Sequence, residues 1–175
     1  MPMGKVEAGI GKIVNFLSEG PGADNNAAEA ILTTDTKVKL SAYRCSLPEG
    51  EFHVAGMAKG SGMICPNMAT MLAFLTTDVK IDRDMLQNIF SETADRTFNS
   101  ITVDGDTSTN DTAMILANGA AEGVEVTEGS VFHAPFLEMV EMVCRDLALQ
   151  IVEDGEGITK IISLIIRGAT NVKDA

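Results

Sequence analysis

Apolar residues recur at helical spacing through Ile10, Ile13, Val14 and Leu17, which predicts an amphipathic helix over residues 5–18, stopped by Gly20, Pro21 and Gly22. A shorter helix over residues 26–32 follows, with Asp24 as its expected cap. Between residues 37 and 47 the period changes to two: Val38, Leu40 and Ala42 alternate with Lys37, Lys39 and Ser41. Pro48, Glu49 and Gly50 then turn the chain into residues 52–58, so a strand, turn, strand hairpin is predicted. Met71 to Leu75 is continuous apolar and short, the pattern of a strand buried on both faces. Asp82 is placed to cap a helix carrying Met85, Leu86, Ile89, Phe90 and Ala94, a strand is predicted to begin at residues 100–103, and after a polar turn the run 113–117 is apolar again. The longest helical stripe runs from Phe132 through Phe136, Val140, Val143 and Leu147 to Ile151, and a last strand is expected over residues 161–166.

Helices that each carry one apolar stripe must lay it on a sheet. The prediction is therefore an α+β layered sandwich of mixed or antiparallel sheet covered by helices, with residues 1–175 as one domain. No internal repeat and no Pro/Gly/Ser linker divides the chain.

Composition changes this picture only by exclusion. The net charge of −12 and the absence of any Lys/Arg cluster argue against nucleic acid as a partner. Three cysteines (Cys45, Cys65, Cys144) and two histidines (His53, His133) give neither zinc-type nor C-x-x-C spacing, so no metal is expected and a reducing compartment fits. No apolar run approaches the length of a membrane span, and a cytoplasmic location with no membrane partner is the expectation. The ten methionines are read as core filler.

Two loops invite chemistry and withhold it. Lys59-Gly60-Ser61-Gly62 resembles a phosphate cradle, but a P-loop needs its lysine after the last glycine. Residues 104–111 alternate oxygen-bearing side chains like a calcium loop, yet the sixth and twelfth positions are Thr109 and Ile115 where Gly and Glu are required. Turn chemistry accounts for both, and equally for Thr33-Thr34-Asp35-Thr36 and Asp154-Gly155-Glu156-Gly157.

Taken in order, GMAKGSGMICPNMATMLAFLTTDV at 56–79, NSITVDGDTSTNDTAMILANG at 99–119, AEAILTTDT at 28–36 and VEDGEGITK at 152–160 resemble the bifunctional ornithine acetyltransferase / N-acetylglutamate synthase family of arginine biosynthesis. The resemblance implies an N-terminal-nucleophile-like fold and a precursor that cleaves itself between Ala69 and Thr70. Residues 1–69 would then be the end of an α-chain part and 70–175 the start of a β-chain part. It further implies that Thr70 carries acetyl from N-acetylornithine to glutamate, with Thr33, Lys59, Thr70 and Glu156 at the positions that hold the amino-acid substrate. Lys59 suits a substrate carboxylate and Glu156 an ammonium group. No resident cofactor is implied, although acetyl-CoA is an alternative acetyl donor.

The family pattern is considerably longer, so this chain is expected to be its central portion. The Thr-Gly pair that forms the family's oxyanion hole would lie upstream, and further Asn and Ser/Thr contacts downstream. A second reading, of a different class, is therefore a catalytically silent domain of the same fold; a third is an amidohydrolase that releases acetate. Expected partners are the other chain of the cleaved precursor and, because strands that pair with outside segments leave open edges, further copies in a homo- or hetero-oligomer.

Overall fold

The hairpin read from the two-residue period is the frame of the fold. In the computed structural model, which describes residues 2–65, 71–106 and 110–171, β1 (Lys39–Leu47) turns through Pro48 and Glu49 into β2 (Gly50–Lys59), with Tyr43 opposite Val54. β2 pairs antiparallel with β3 (Leu72–Thr77), and β3 pairs parallel with β5 (Thr112–Ala117), giving a four-stranded mixed sheet in the order β1-β2-β3-β5. The crossover from β3 to β5 carries β4 (Lys80–Ile81) and helix α3 (Arg83–Arg96), and β4 pairs with β6 (Glu125–Val126) in a small second sheet. α3 starts where Asp82 accepts hydrogen bonds from the backbone N–H groups of Asp84 (2.9 Å) and Met85 (3.1 Å), as its sequence predicts.

The long helix α4 (His133–Glu153) lies across β1 and β2. Its stripe Phe136, Val140, Val143, Leu147 and Ile151 is buried against Phe52, Val54, Ala73 and Leu75, which the pleat turns to one face of the sheet. Gly56 sets how closely helix and sheet approach. A Cβ there would lie 3.0 Å from Leu147 Cδ1, 3.0 Å from Leu75 Cγ and 3.1 Å from Val143 Cγ1, so α4 rests where a side chain is missing.

Several expectations are revised. The alternation in β1 is as predicted, and the polar side is the inner one: Lys39 is buried, and Ser41 and Tyr43 face α4, while Leu40 and Ala42 point away. The cause lies on α4, where one Asp146 oxygen accepts from both Ser41 Oγ and Tyr43 OH at 2.8 Å and makes the polar side of β1 the inner one. β3 is buried on one face only. Phe74 on its other face is half-buried and Thr76 exposed, with α2 (Pro21–Ala30) approaching that side of the sheet.

α2 itself begins earlier than predicted, at Pro21, with Gly20 before it at φ +106 and no side-chain cap; Asp24 sits inside its first turn. Proline is pre-set for a first helical position, which moves the start upstream. α1 (Met3–Ile13) begins two residues before the predicted helix and continues as a 3₁₀ turn over Val14–Phe16, but it buries none of its residues. Residues 100–103 end a 3₁₀ turn (Phe98–Ser100) instead of making a strand, and residues 161–166 have no regular secondary structure, with Ile162 80% and Leu164 84% exposed. Among the described residues no helix is long and apolar enough to cross a membrane.

Candidate functional site

The start of β1, the end of β2, the start of β3, the start of β5 and the end of α4 meet at one end of the sheet. Lys39 enters β1 there, Lys59 leaves β2, Leu72 pairs opposite Lys59, and Asp154 follows the last turn of α4. Motifs more than a hundred residues apart in sequence are thereby gathered in one place.

The centre is an ion triad. Lys39 Nζ donates to Asp35 Oδ1 at 2.7 Å and to Asp154 Oδ2 at 2.6 Å, with side-chain exposures of 1%, 0% and 2% for the three residues. Its third hydrogen is aimed at the Lys37 carbonyl, 3.3 Å away. Burial alone would raise both carboxyl pKa values. The Lys39 hydrogen bond and the surrounding N–H donors more than offset it, so Asp35 is lowered and Asp154 falls to about 2. Each carboxylate then reaches outward to backbone. Asp35 accepts from Gly60 N (2.6 Å) and Thr33 N (3.2 Å), and Asp154 from Thr36 N (2.9 Å), Lys37 N (3.3 Å) and the Thr36 hydroxyl.

Around this centre the predicted substrate residues assemble on the loop that follows β2. Gly60 adopts φ +148, a conformation that favours glycine, and turns the chain so that Ser61 Oγ hydrogen-bonds Thr34 Oγ1 at 2.8 Å. Glu156 N donates to Ser61 O at 2.6 Å. The Glu156 carboxyl carbon lies only 3.2 Å from where a Cβ of Gly62 would be, so the bare backbone at Gly62 makes room for that carboxylate. Asp104, read from sequence as turn chemistry, holds the far side of this loop by accepting from Met63 N (2.5 Å) and Ile64 N (3.0 Å).

Lys59 is 9% exposed, and among the described residues no hydrogen bond or ion pair engages its ammonium; its charge acts on Asp111. Asp111 accepts from Met71 N at 2.5 Å, while its other oxygen is buried and, among the described residues, has no hydrogen-bond partner. Burial pushes its carboxyl pKa up, against the opposing pull of the Met71 N–H and of Lys59. Ala69 and Thr70, the predicted cleavage bond and nucleophile, lie outside the described residues. Their covalent continuation is the strand start at Met71 and Leu72, beside Asp111 and opposite Lys59.

The structure thus brings Thr33, Lys59 and Glu156 to one loop, Thr33 through Asp35 and Glu156 through Ser61. Sequence reading missed Lys39, Asp111 and the distant attachment of Asp35 and Asp154. The available signal was a lysine and two aspartates inside segments otherwise rich in glycine, serine and threonine. Chemically, the arrangement offers a cation at Lys59, a carboxylate at Glu156 and hydroxyls at Thr33, Thr34 and Ser61, a donor set matched to a ligand carrying both an ammonium and a carboxylate. Among the described residues no group of three or more His, Cys, Asp or Glu is arranged to hold a metal ion.

Fold and site together define an α+β domain with a polar, charge-bearing site at one end of its central sheet. The ArgJ family profile matches residues 1–175. The arginine biosynthesis bifunctional protein ArgJ of Lactococcus lactis is 50% identical over 171 residues, covering 98% of this chain and 42% of that protein. The glutamate N-acetyltransferase of Methanocaldococcus jannaschii is 48% identical over 178 residues, covering 100% of this chain and 43% of that protein. The chain belongs to the ArgJ family, and it spans less than half the length of these curated relatives. Among solved structures, the crystal structure of ArgJ from Bacillus halodurans aligns with TM-score 0.46 at 47% identity, over 49% of this chain and 39% of that one.

Proposed function

We propose that this chain is the nucleophile-bearing part of a glutamate N-acetyltransferase of arginine biosynthesis, which moves acetyl from N-acetylornithine to glutamate through Thr70. The observation that carries the reading is the convergence of Thr33, Lys59 and Glu156 on the loop at residues 60–62, at the end of the sheet where Lys59 lies opposite Leu72, two residues after Thr70. A relative named glutamate N-acetyltransferase and another named for arginine biosynthesis support the reading.

In this reading Thr70 Oγ first attacks the Ala69 carbonyl carbon. The Ala69–Thr70 C–N bond breaks as the ester C–O bond forms, and water opens the ester to leave Ala69 as a carboxylate and Thr70 with a free α-amine. A terminal amine with a pKa near 7.7–8.0 is unprotonated in about one chain in ten at pH 7, a fraction that refills rapidly, and in that form takes the Oγ proton, so the nucleophile carries its own base. Thr70 Oγ then attacks the acetyl carbonyl of N-acetylornithine, and ornithine leaves with the proton. The glutamate amine in turn attacks the acetyl ester, giving N-acetylglutamate and restoring the hydroxyl, a ping-pong sequence. Lys59 binds the amino-acid carboxylate and Glu156 an ammonium, with Thr33 beside them. No resident cofactor enters; acetyl-CoA is an alternative donor. Residues 1–69 form the end of the α-chain part and residues 70–175 the start of the β-chain part, within an oligomer.

The test is acetyl transfer from labelled N-acetylornithine to glutamate, with Thr70→Ala as control. Transfer that Thr70→Ala abolishes is the expected result. Neither transfer nor an acetyl-Thr70 adduct would favour the catalytically silent domain, and acetate released to water instead of passed to glutamate would favour a hydrolase.

A further inference from the structure

We infer that Lys39 is the positioning residue of this site: through Asp35 and Asp154 it holds in one register the three chain segments that carry Thr33, Lys59 and Glu156. The inference rests on the proposed substrate reading only for what the site binds; the coupling of the segments stands on geometry alone.

A lysine buried to 1% exposure between two carboxylates is a poor way to gain stability. Desolvating three charges consumes most of what their attraction returns, and apolar residues of similar volume commonly do as well. What the triad adds is connection. Lys39 spends all three hydrogens, on Asp35, Asp154 and the Lys37 carbonyl. Asp35 passes the constraint to Thr33 N in one segment and Gly60 N, the residue after Lys59, in another. Asp154 passes it to Thr36 N and Lys37 N, and it precedes by two residues the Glu156 whose N–H closes on Ser61 O. Thr34 and Ser61 complete the circuit. Remove the cation and two buried carboxylates face one another unpaired, so the segments must separate or one carboxyl must take up a proton. Lys39 lies behind the site and acts through its neighbours, with no role assigned to it in touching substrate.

The experiment is amide hydrogen exchange by NMR on wild type, Lys39→Met and the milder Lys39→Gln, together with titration of each by N-acetylornithine. In any variant that folds, the amides of Thr33, Thr36, Gly60 and Glu156 should exchange together, roughly tenfold faster or more, while Leu75 in the β2–β3 ladder keeps its protection. Lys39→Gln is included because it retains one donor and spares the fold should Lys39→Met fail. Affinity for N-acetylornithine should fall in parallel, whereas Glu156→Gln should lose affinity with the exchange pattern at Thr33 and Gly60 unchanged. Acceleration that is uniform along the chain, or absent at these four amides, would overturn the assignment and leave Lys39 as an ordinary buried cation. Wild type that does not bind N-acetylornithine would refute the substrate reading, while the exchange data would still decide whether Lys39 couples the segments.

Discussion

Replacing Asp154 by Asn isolates the charge of the triad from its shape. The amide is nearly isosteric and keeps one acceptor oxygen toward Lys39, Thr36 N and Lys37 N; it loses the negative charge and turns an NH2 donor toward the Thr36 hydroxyl, which can accept from it. The pKa of Asp154 falls from 3.8 to about 2 on folding, so the ionised form is favoured in the native state. A depressed carboxyl pKa contributes stability that is fully present above the unfolded value, near pH 4, and is lost as pH falls toward 2. The shift corresponds to about 2 kcal/mol at pH 7 and about half of that at pH 3. With its side chain 2% exposed, Asp154 is little screened by solvent. Asp154→Asn should therefore be less stable than wild type by ~2 kcal/mol in urea unfolding at pH 7, with the gap closing to ~1 kcal/mol at pH 3. Asp78 and Asp104, whose pKa values are also lowered and which share no partner with Asp154, weaken both proteins alike in acid. A gap that does not change with pH would mean that lost hydrogen-bond geometry dominates. A gap below ~0.5 kcal/mol at pH 7, a quarter of the linkage value, would mean that the pairing barely exceeds its desolvation cost.

Gly56→Ala should lower the urea midpoint, since the new methyl meets Leu147, Leu75 and Val143 at 3.0–3.1 Å. Overpacking of about 1–3 kcal/mol outweighs the ~0.4–1 kcal/mol gained by stiffening the unfolded chain, and an unchanged or raised midpoint would contradict the seating of α4. The Cys144 thiol is fully buried and its pKa is pushed up to about 12, chiefly by burial and further by Glu141 against a Thr97 hydrogen bond. An alkylating reagent at pH 8 should leave Cys144 untouched in the native chain while reaching the half-buried Cys45 and Cys65, as read by peptide mass; native-rate labelling of Cys144 would contradict the packing.

The parts of the fold visible in sequence are those set by local chemistry. The Asp82 cap, the hairpin turn at Pro48 and Glu49 and the α4 stripe each follow from a few neighbouring residues. The polarity of β1 does not, because a period of two says which residues share a face and not which face is covered. That choice belongs to Asp146 and Asp154, more than a hundred residues away. The same distance hid the triad: Asp35 and Asp154 each look like turn residues, and only the fold places Lys39 between them. Residues 161–166 carry strand-like content, but a strand also needs a partner edge, which no local pattern encodes. Thr33, Lys59 and Glu156 were legible only as members of family motifs. Without those motifs Lys59 reads as a surface charge, whereas it is nearly buried at the end of β2.

The central claim, that Thr70 is a self-activated nucleophile, is tested most directly by the intact mass of the purified chain under denaturing conditions, wild type against Thr70→Ala. The account predicts that wild type separates into residues 1–69 and 70–175 while Thr70→Ala stays whole. Both proteins remaining at 18.5 kDa would contradict it.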